Sequence, residues 1–195
     1  MTVVRVVHVT LDPPSRDVAR DAARTVLGRE LGVAPEAVEI TRECLLCGHA
    51  THGKPRLVND PSLSFSLSHS GAHAVVALGT NGTIVGVDVE AVRPRPHLAR
   101  LAARTLGPAQ LAAWHALPPE AQLEFFLRCW TAKEAYLKAM GTGVTAKLSD
   151  VPDEPAGWTL RALAAPAGYI ATLAVDAPEA TVEESVFSSS DGTAG

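Results

Sequence analysis

The sequence is poor in the features that would staple a chain, thread it through a membrane or bind it to nucleic acid. It has three cysteines in 195 residues, too few for a disulfide framework. Lys and Arg number 17 against 21 Asp and Glu, a net charge of −4, and the lack of a basic excess argues against a nucleic-acid partner. No apolar run reaches the length of a membrane span. The segment Val3 to Val9 is too short and too poorly flanked for a signal peptide, so the cytoplasm is the expected compartment. No Gly/Ser linker interrupts the chain, which predicts one compact unit.

What is present fits a soluble enzyme. Apolar residues make up 47% and charged residues 19% of the chain, and the length suffices for one large domain or two small lobes. Apolar periodicity predicts a strand from Val3 to Val9 and a helix from Asp17 to Leu31, stopped by Gly32. Strands follow at Val38 to Arg42, Leu63 to Ser68, Ala74 to Leu78 and Ile84 to Glu90. Helices are expected at Leu98 to Thr105, Pro108 to His115 and Glu120 to Met140, with Gly141 and Gly143 ending the last. Trp158 to Leu163 and Tyr169 to Val175 return as strands. Strand, helices, then strands, twice over, predicts an α+β pseudo-dimer of two related halves. The expected divisions are residues 1–80, residues 81–176, and a disordered tail at 177–195 rich in Ser, Glu, Asp, Thr and Gly.

The stretch from Trp130 to Gly143 carries the strongest chemical signal. Trp130, Glu134 and Lys138 recur every four residues, which stacks them on one face of a helix. Alone, that face reads as a surface ion pair. The segment Gly86-Val-Asp88-Val-Glu90 changes the reading. Strand alternation turns Asp88 and Glu90 to one side and Val85, Val87 and Val89 to the other, toward a core. Two adjacent carboxylates repel, and a divalent cation between them removes the repulsion. With Glu134 closing on the same point they would form a hard oxygen site suited to Mg²⁺, typical of phosphate transfer; the competing reading is a solvated acidic strand edge.

Two further segments carry polar groups suited to phosphate. In Phe65-Ser-Leu-Ser68-His69-Ser70-Gly71, the apolar Leu63, Phe65 and Leu67 alternate with serines. The strand then ends in an imidazole, hydroxyls and backbone amides able to hold a phosphate. His52-Gly53-Lys54-Pro55-Arg56 is a basic turn rigidified by Gly and Pro. Each also reads as an ordinary turn.

Gly-Lys-Pro, Ser-His-Ser-Gly, Gly-Val-Asp-Val-Glu and Trp-Thr-Ala-Lys-Glu-Ala-Tyr-Leu-Lys, in this order, resemble the 4′-phosphopantetheinyl transferase family. The likeness is to its long, monomeric Sfp-type enzymes, which activate polyketide and nonribosomal peptide synthases. Asp21-Ala-Ala-Arg24-Thr25-Val-Leu27-Gly28 resembles a helix in that family's first half. The resemblance covers roughly residues 3 to 175. It implies the pseudo-dimeric α+β fold of that family, with the active site in the cleft between halves. It also implies an activity: Mg²⁺-dependent transfer of the phosphopantetheine arm of coenzyme A to a serine of an apo acyl or peptidyl carrier protein. Adenosine 3′,5′-bisphosphate is the other product.

By the same resemblance, Asp88, Glu90 and Glu134 would hold the metal, and Glu134 would take the proton of the incoming serine. Lys138 would contact the phosphates. His69, Ser68 and the Gly53-Lys54-Pro55 turn would hold coenzyme A, with Arg24 near the nucleotide end. The chain departs from the family in one place. A helical segment with a basic pair, usual after the first strand, is missing between Leu11 and Asp17. Arg16 and Arg20, or Arg56, are the residues available to replace its charge at the 3′-phosphate. A module that binds coenzyme A or a carrier protein without turnover is the alternative reading.

Cys44-Leu-Leu-Cys47-Gly-His49-Ala-Thr-His52 contains a Cys-x₂-Cys zinc half-site, but its two His follow more closely than in classical sites. A reduced pair in a turn competes with it. Cys129 is expected to be a core thiol. Arg93, Arg95, Arg100 and Arg104, interleaved with Leu98, Leu101 and Leu106, are expected to form a basic and apolar ledge for a carrier protein, or else an ordinary amphipathic helix.

Overall fold

The computed structural model describes residues 2–42, 53–142 and 147–188. The first strand, β1 (Val3–Thr10), leads into α1 (Arg16–Leu31). Ser15 starts that helix by accepting a hydrogen bond from Val18 N at 3.2 Å. Gly32, at φ 68°, ends it in the left-handed conformation, so one helix is bounded by the residue types its two ends favour. Two short strands, β2 (Ile40–Arg42) and β3 (Pro55–Leu57), pair with each other. The strand expected from Val38 begins at Ile40 because a short 3₁₀ turn occupies Pro35–Ala37.

A hairpin follows, β4 (Ser64–Ser70) and β5 (His73–Gly79), and then β6 (Val85–Ala91). Three helices, α2 (Leu98–Thr105), α3 (Pro108–Ala116) and α4 (Pro119–Met140), separate it from β7 (Thr159–Ala162), β8 (Tyr169–Val175) and β9 (Thr181–Ser188). One sheet has the order β4-β5-β1-β9 and another the order β6-β8-β7. The expected α+β class is therefore the observed one.

The two sheets share a core. Val4, Val6, Val75 and Ala77 from the first meet Val85, Val87, Val89, Leu173 and Val175 from the second. The valine alternation read from the sequence is right: Val85 and Val87 are 0% exposed and Val89 is 1% exposed. The outer face of the first sheet is covered by α1, through Ala23, Val26 and Leu27 against Phe65, Val76 and Leu78. The outer face of the second is covered by α4, through Ala135 and Ala139 against Ala174.

The tail requires a correction. Residues 181–188 are not disordered but form β9, which runs parallel to β1 from Val3↔Thr181 to Thr10↔Ser188. Its polar composition is compatible with an edge strand, which draws on backbone hydrogen bonds and needs few apolar anchors. Val182 packs on the inter-sheet core, and Phe187 is buried with Val9, Leu11 and Ala19. The guanidinium of Arg29 lies 4.6 Å from the centre of the Phe187 ring.

The segment after β6 takes the form of an amphipathic helix, the second of the two expected forms. Leu106 is buried, and Leu98 and Leu101 pack with it against Phe126 and Leu127 of α4. The exposed side of α2 is left to Arg100 and Arg104. Cys129 is half-buried, and burial together with Asp153 pushes its thiol up to about 11. The Cys44/Cys47/His49/His52 motif lies outside the described residues. Among the described residues no helix is long and apolar enough to cross a membrane.

Candidate active site

The geometry begins with a glycine. A Cβ at Gly86 would sit 2.1 Å from Ala135 O and 2.5 Å from Ala139 N. Only glycine lets β6 and α4 approach this closely. On the same face of β6 as Gly86 come Asp88 and Glu90. On α4, one residue N-terminal to the buried Ala135 and Ala139, come Glu134 and Lys138. Close packing of two elements thus brings together groups about fifty residues apart in sequence.

Asp88 is 5% exposed. Its Oδ1 accepts from Lys138 Nζ at 2.7 Å and from Ser68 Oγ at 2.9 Å. Lys138 Nζ also donates to Ser68 Oγ at 2.9 Å, closing a triangle of lysine, serine and aspartate. Asp88 Oδ2 is buried with no hydrogen-bond partner among the described residues. Burial pushes the Asp88 carboxyl up, and Lys138 opposes that shift. Glu90 is paired through Oε2 with Arg95 at 2.6 Å and accepts from Ser70 Oγ at 3.2 Å.

Glu134 is half-buried, and its carboxyl is raised first by burial and then by the negative field of Asp88, with a smaller contribution from Glu90. The negative fields of Asp88 and Glu90 thus both reach Glu134. The three carboxylates are not spaced as a finished metal cage: among the described residues no three or more His, Cys, Asp or Glu side chains are grouped to hold an ion. Lys138 lies against Asp88 and Arg95 against Glu90.

His69 follows Ser68 on β4 and is partly exposed. Burial, then Arg16, Lys138 and Arg20, hold its imidazole below the usual histidine range. Burial, then Arg20 and Arg16, also lower Arg42. The positive fields of Arg16 and Arg20 thus reach both His69 and Arg42. Arg24 donates to Val38 O at 2.6 Å and ties α1 to the following turn. The carbonyl of Gly53 accepts from Arg42 at 3.5 Å, and Pro55 pairs with Arg42 in the β2–β3 ladder.

Lys54 is placed differently from the expectation of a phosphate contact. Its three ammonium protons go to Ser64 Oγ at 3.2 Å, Val85 O at 3.0 Å and Ala139 O at 3.1 Å. An ammonium has three donors, so Lys54 bridges β4, β6 and α4 with none to spare. Ser68 is likewise engaged by Asp88 and Lys138. Sequence reading placed Arg95 in the carrier ledge and Ser70 in a phosphate-holding strand end, not beside Glu90, and gave Lys133 no role. Lys133, 2% exposed, donates to Leu148 O at 3.1 Å and Val151 O at 2.9 Å, anchoring the chain after α4. No signal marked Lys133 in particular. The Arg95 and Ser70 contacts with Glu90 follow once β4 and β6 are known to be neighbours.

The protein-family model described as the 4′-phosphopantetheinyl transferase superfamily matches residues 84–178. The 4′-phosphopantetheinyl transferase HetI of Nostoc sp. is 36% identical over 170 residues, covering 80% of this chain and 68% of HetI. This chain belongs to the 4′-phosphopantetheinyl transferase superfamily. A putative 4′-phosphopantetheinyl transferase of Synechocystis sp. is 37% identical over 138 residues, covering 69% of this chain and 53% of that protein. AcpT of Escherichia coli K12, also a 4′-phosphopantetheinyl transferase, is 35% identical over 62% of this chain and 56% of its own length. The chain thus spans little more than half the length of two of these relatives and about two thirds of HetI. The superfamily match runs from the turn before β6 to just past β8, so it contains Asp88, Glu90, Glu134 and Lys138. His69, Arg24 and Lys54 lie before it.

A groove of about 470 Å³ between α1 and β9 is lined by Val26, Arg29, Glu30, Glu184 and Phe187, among others. It shares no residue with the carboxylate cluster and contributes nothing to this site.

Proposed function

We propose that this chain transfers the 4′-phosphopantetheine arm of coenzyme A to a serine hydroxyl of an apo acyl or peptidyl carrier protein, with Mg²⁺, and releases adenosine 3′,5′-bisphosphate. The observation that carries this reading is the buried, unpartnered Oδ2 of Asp88 beside Lys138, within the field of Glu134. A buried carboxylate oxygen with no donor costs about 1–3 kcal/mol, and a cation held at that oxygen removes the cost. The donor set, three carboxylates and no thiol or imidazole, fits Mg²⁺ by its hardness. Asp88, Glu90 and Glu134 would hold it, and when bound it would neutralise charge on the diphosphate.

The remaining steps belong to the chain's own side chains. Glu134 accepts the proton of the carrier serine, a task suited to a carboxylate whose proton affinity is raised. The serine oxygen forms a bond to the phosphorus of the phosphopantetheine phosphate. The bond from that phosphorus to the bridging oxygen breaks, and the electron pair leaves with the adenosine bisphosphate. Lys138 stabilises charge on the phosphate oxygens through the transition state. His69 donates a hydrogen bond to a phosphate. Arg16, Arg20 and Arg42 supply the positive field for the nucleotide end.

In this reading a monomer of the Sfp type works in the cleft between its two related halves, in the cytoplasm. The exposed Arg93, Arg100 and Arg104 offer the carrier a basic surface. The test is release of adenosine 3′,5′-bisphosphate from coenzyme A, followed by chromatography with carrier protein present. Release is expected with the unaltered carrier and not with a carrier whose acceptor serine is alanine. Release that ignores the acceptor serine would make the activity hydrolysis rather than transfer.

A further inference from the structure

The face of β4 that carries Ser64, Ser66, Ser68 and Ser70 is turned to the edge of β6 not used by β8. Their hydroxyls accept, one per rung, from Val85 N at 3.3 Å, Val87 N at 3.0 Å, Val89 N at 3.2 Å and Ala91 N at 3.1 Å. Four amides that would otherwise be orphaned at the junction of the sheets are thus satisfied by side chains instead of a backbone ladder. Two rungs do something more. Ser68 donates to Asp88 Oδ1 at 2.9 Å and Ser70 donates to Glu90 Oε2 at 3.2 Å. Ser66, equally buried, has no carboxylate contact.

A serine hydroxyl carries one proton and two lone pairs. Once a fixed amide occupies a lone pair, the direction of the proton is restricted, and at Ser68 and Ser70 it lies on a carboxylate. The carboxylates sit on the same strand as the amides, so each amide, hydroxyl and carboxylate forms a closed local clamp. We propose that Ser70 is a positioning residue for Glu90, and Ser68 for Asp88, while Ser66 serves only to join the sheets. Ser70 and Arg95 both engage Oε2 of Glu90, and Ser68 and Lys138 both engage Oδ1 of Asp88. Each clamp therefore leaves the other oxygen of its carboxylate available to a cation. The inference rests on the metal reading given above.

The test uses the full chain, with Mn²⁺ as the probe and no carrier protein or coenzyme A. Mn²⁺ binding is followed by electron paramagnetic resonance, and thermal melts are recorded for the same samples. Ser66→Ala and Ser70→Ala each orphan one β6 amide, so both are expected to lower the melting temperature similarly. Only Ser70→Ala is expected to weaken Mn²⁺ binding, by about tenfold, the scale of a hydrogen bond to a charged group. Ser70→Thr, which keeps the hydroxyl, is expected to bind Mn²⁺ like the unaltered chain. Equal Mn²⁺ affinity in Ser66→Ala and Ser70→Ala would overturn the proposal, as would equal weakening by Ser70→Thr and Ser70→Ala. Failure of the unaltered chain to bind Mn²⁺ would overturn the metal reading itself, and the clamp's role with it.

Discussion

Asp88 has one oxygen held by two donors and one held by none, at a depth where both should be satisfied. Such a residue is retained for what it binds more than for the stability it gives. Asp88→Asn should keep the fold yet lower arm transfer at least about 100-fold, the scale of removing one electrostatic contact from a transition state. Circular dichroism and a transfer assay on the same preparation check both halves of that statement. Glu134→Gln should cost about 10²–10⁴-fold in rate, the range for losing a general base. A second residue-scale consequence lies away from the site. His73 meets Tyr169 at a tilt with ring centres 5.2 Å apart and stacks on His8, which in turn is paired with Glu184. Burial and the neighbouring His8 lower its imidazole from 6.5 to about 4. The unfolded chain therefore binds the extra proton first as pH falls. The contribution of His73 to stability is complete above pH 6.5 and is lost on the way down to pH 4, by at most about 3 kcal/mol. Melts of His73→Phe across this range should show a shallower acid limb than melts of the unaltered chain. The alternation of Asp88 and Glu90 against three valines was legible in the sequence because strand parity is local. The partner of Lys138 was not: a helix position alone does not say whether an ammonium group will meet a phosphate or a carboxylate fifty residues earlier.

At the scale of elements, the site depends on β6 lying flat against α4. Gly86→Ala would drive a methyl group into the α4 backbone at Ala135 O and Ala139 N, contacts that no rotamer change relieves. It should destabilise the chain by about 3 kcal/mol or more, as overpacking does, and a denaturant titration measures this. Lys54 belongs to the same junction. Burial, aided by Arg56, lowers its ammonium to about 8. Since the unfolded value lies near 10.5, its contribution to stability is smallest below pH 8 and rises toward pH 10.5. Replacement by Met should flatten that rise in melts between pH 8 and 10.5. The sequence showed that β4 was half-buried, because Leu63, Phe65 and Leu67 alternate with serines. It did not show that the serine face was buried as well, since a hydroxyl facing water and a hydroxyl facing a strand edge leave the same pattern. That ambiguity also hid the pairing of Ser70 with Glu90, while the basic Gly-Lys-Pro turn gave no sign that Lys54 would join β4, β6 and α4.

For the whole molecule, β9 ties two segments distant in sequence by pairing with β1. β9 pairs with the full length of β1, buries Phe187 and brings Glu184 within 2.9 Å of His8 Nε2. Ending the chain after Ala180 should lower the melting temperature by about 5 °C or more, from the loss of one buried aromatic and a strand, as calorimetry can show. The α+β order of elements was readable from periodicity because most strands and helices are strongly patterned. The tail was misread because an edge strand held largely by backbone hydrogen bonds has a polar surface. Such a strand has the composition of a disordered one. The molecule as a whole is a superfamily member whose carboxylates and lysine are assembled by β6 packed on α4, with β4 joined to β6 through a serine-lined edge. The most direct measurement is the intact mass of an apo carrier protein incubated with coenzyme A, Mg²⁺ and this chain. The account predicts a gain of one phosphopantetheine group with the unaltered chain and none with Asp88→Ala. An equal gain with both would contradict it.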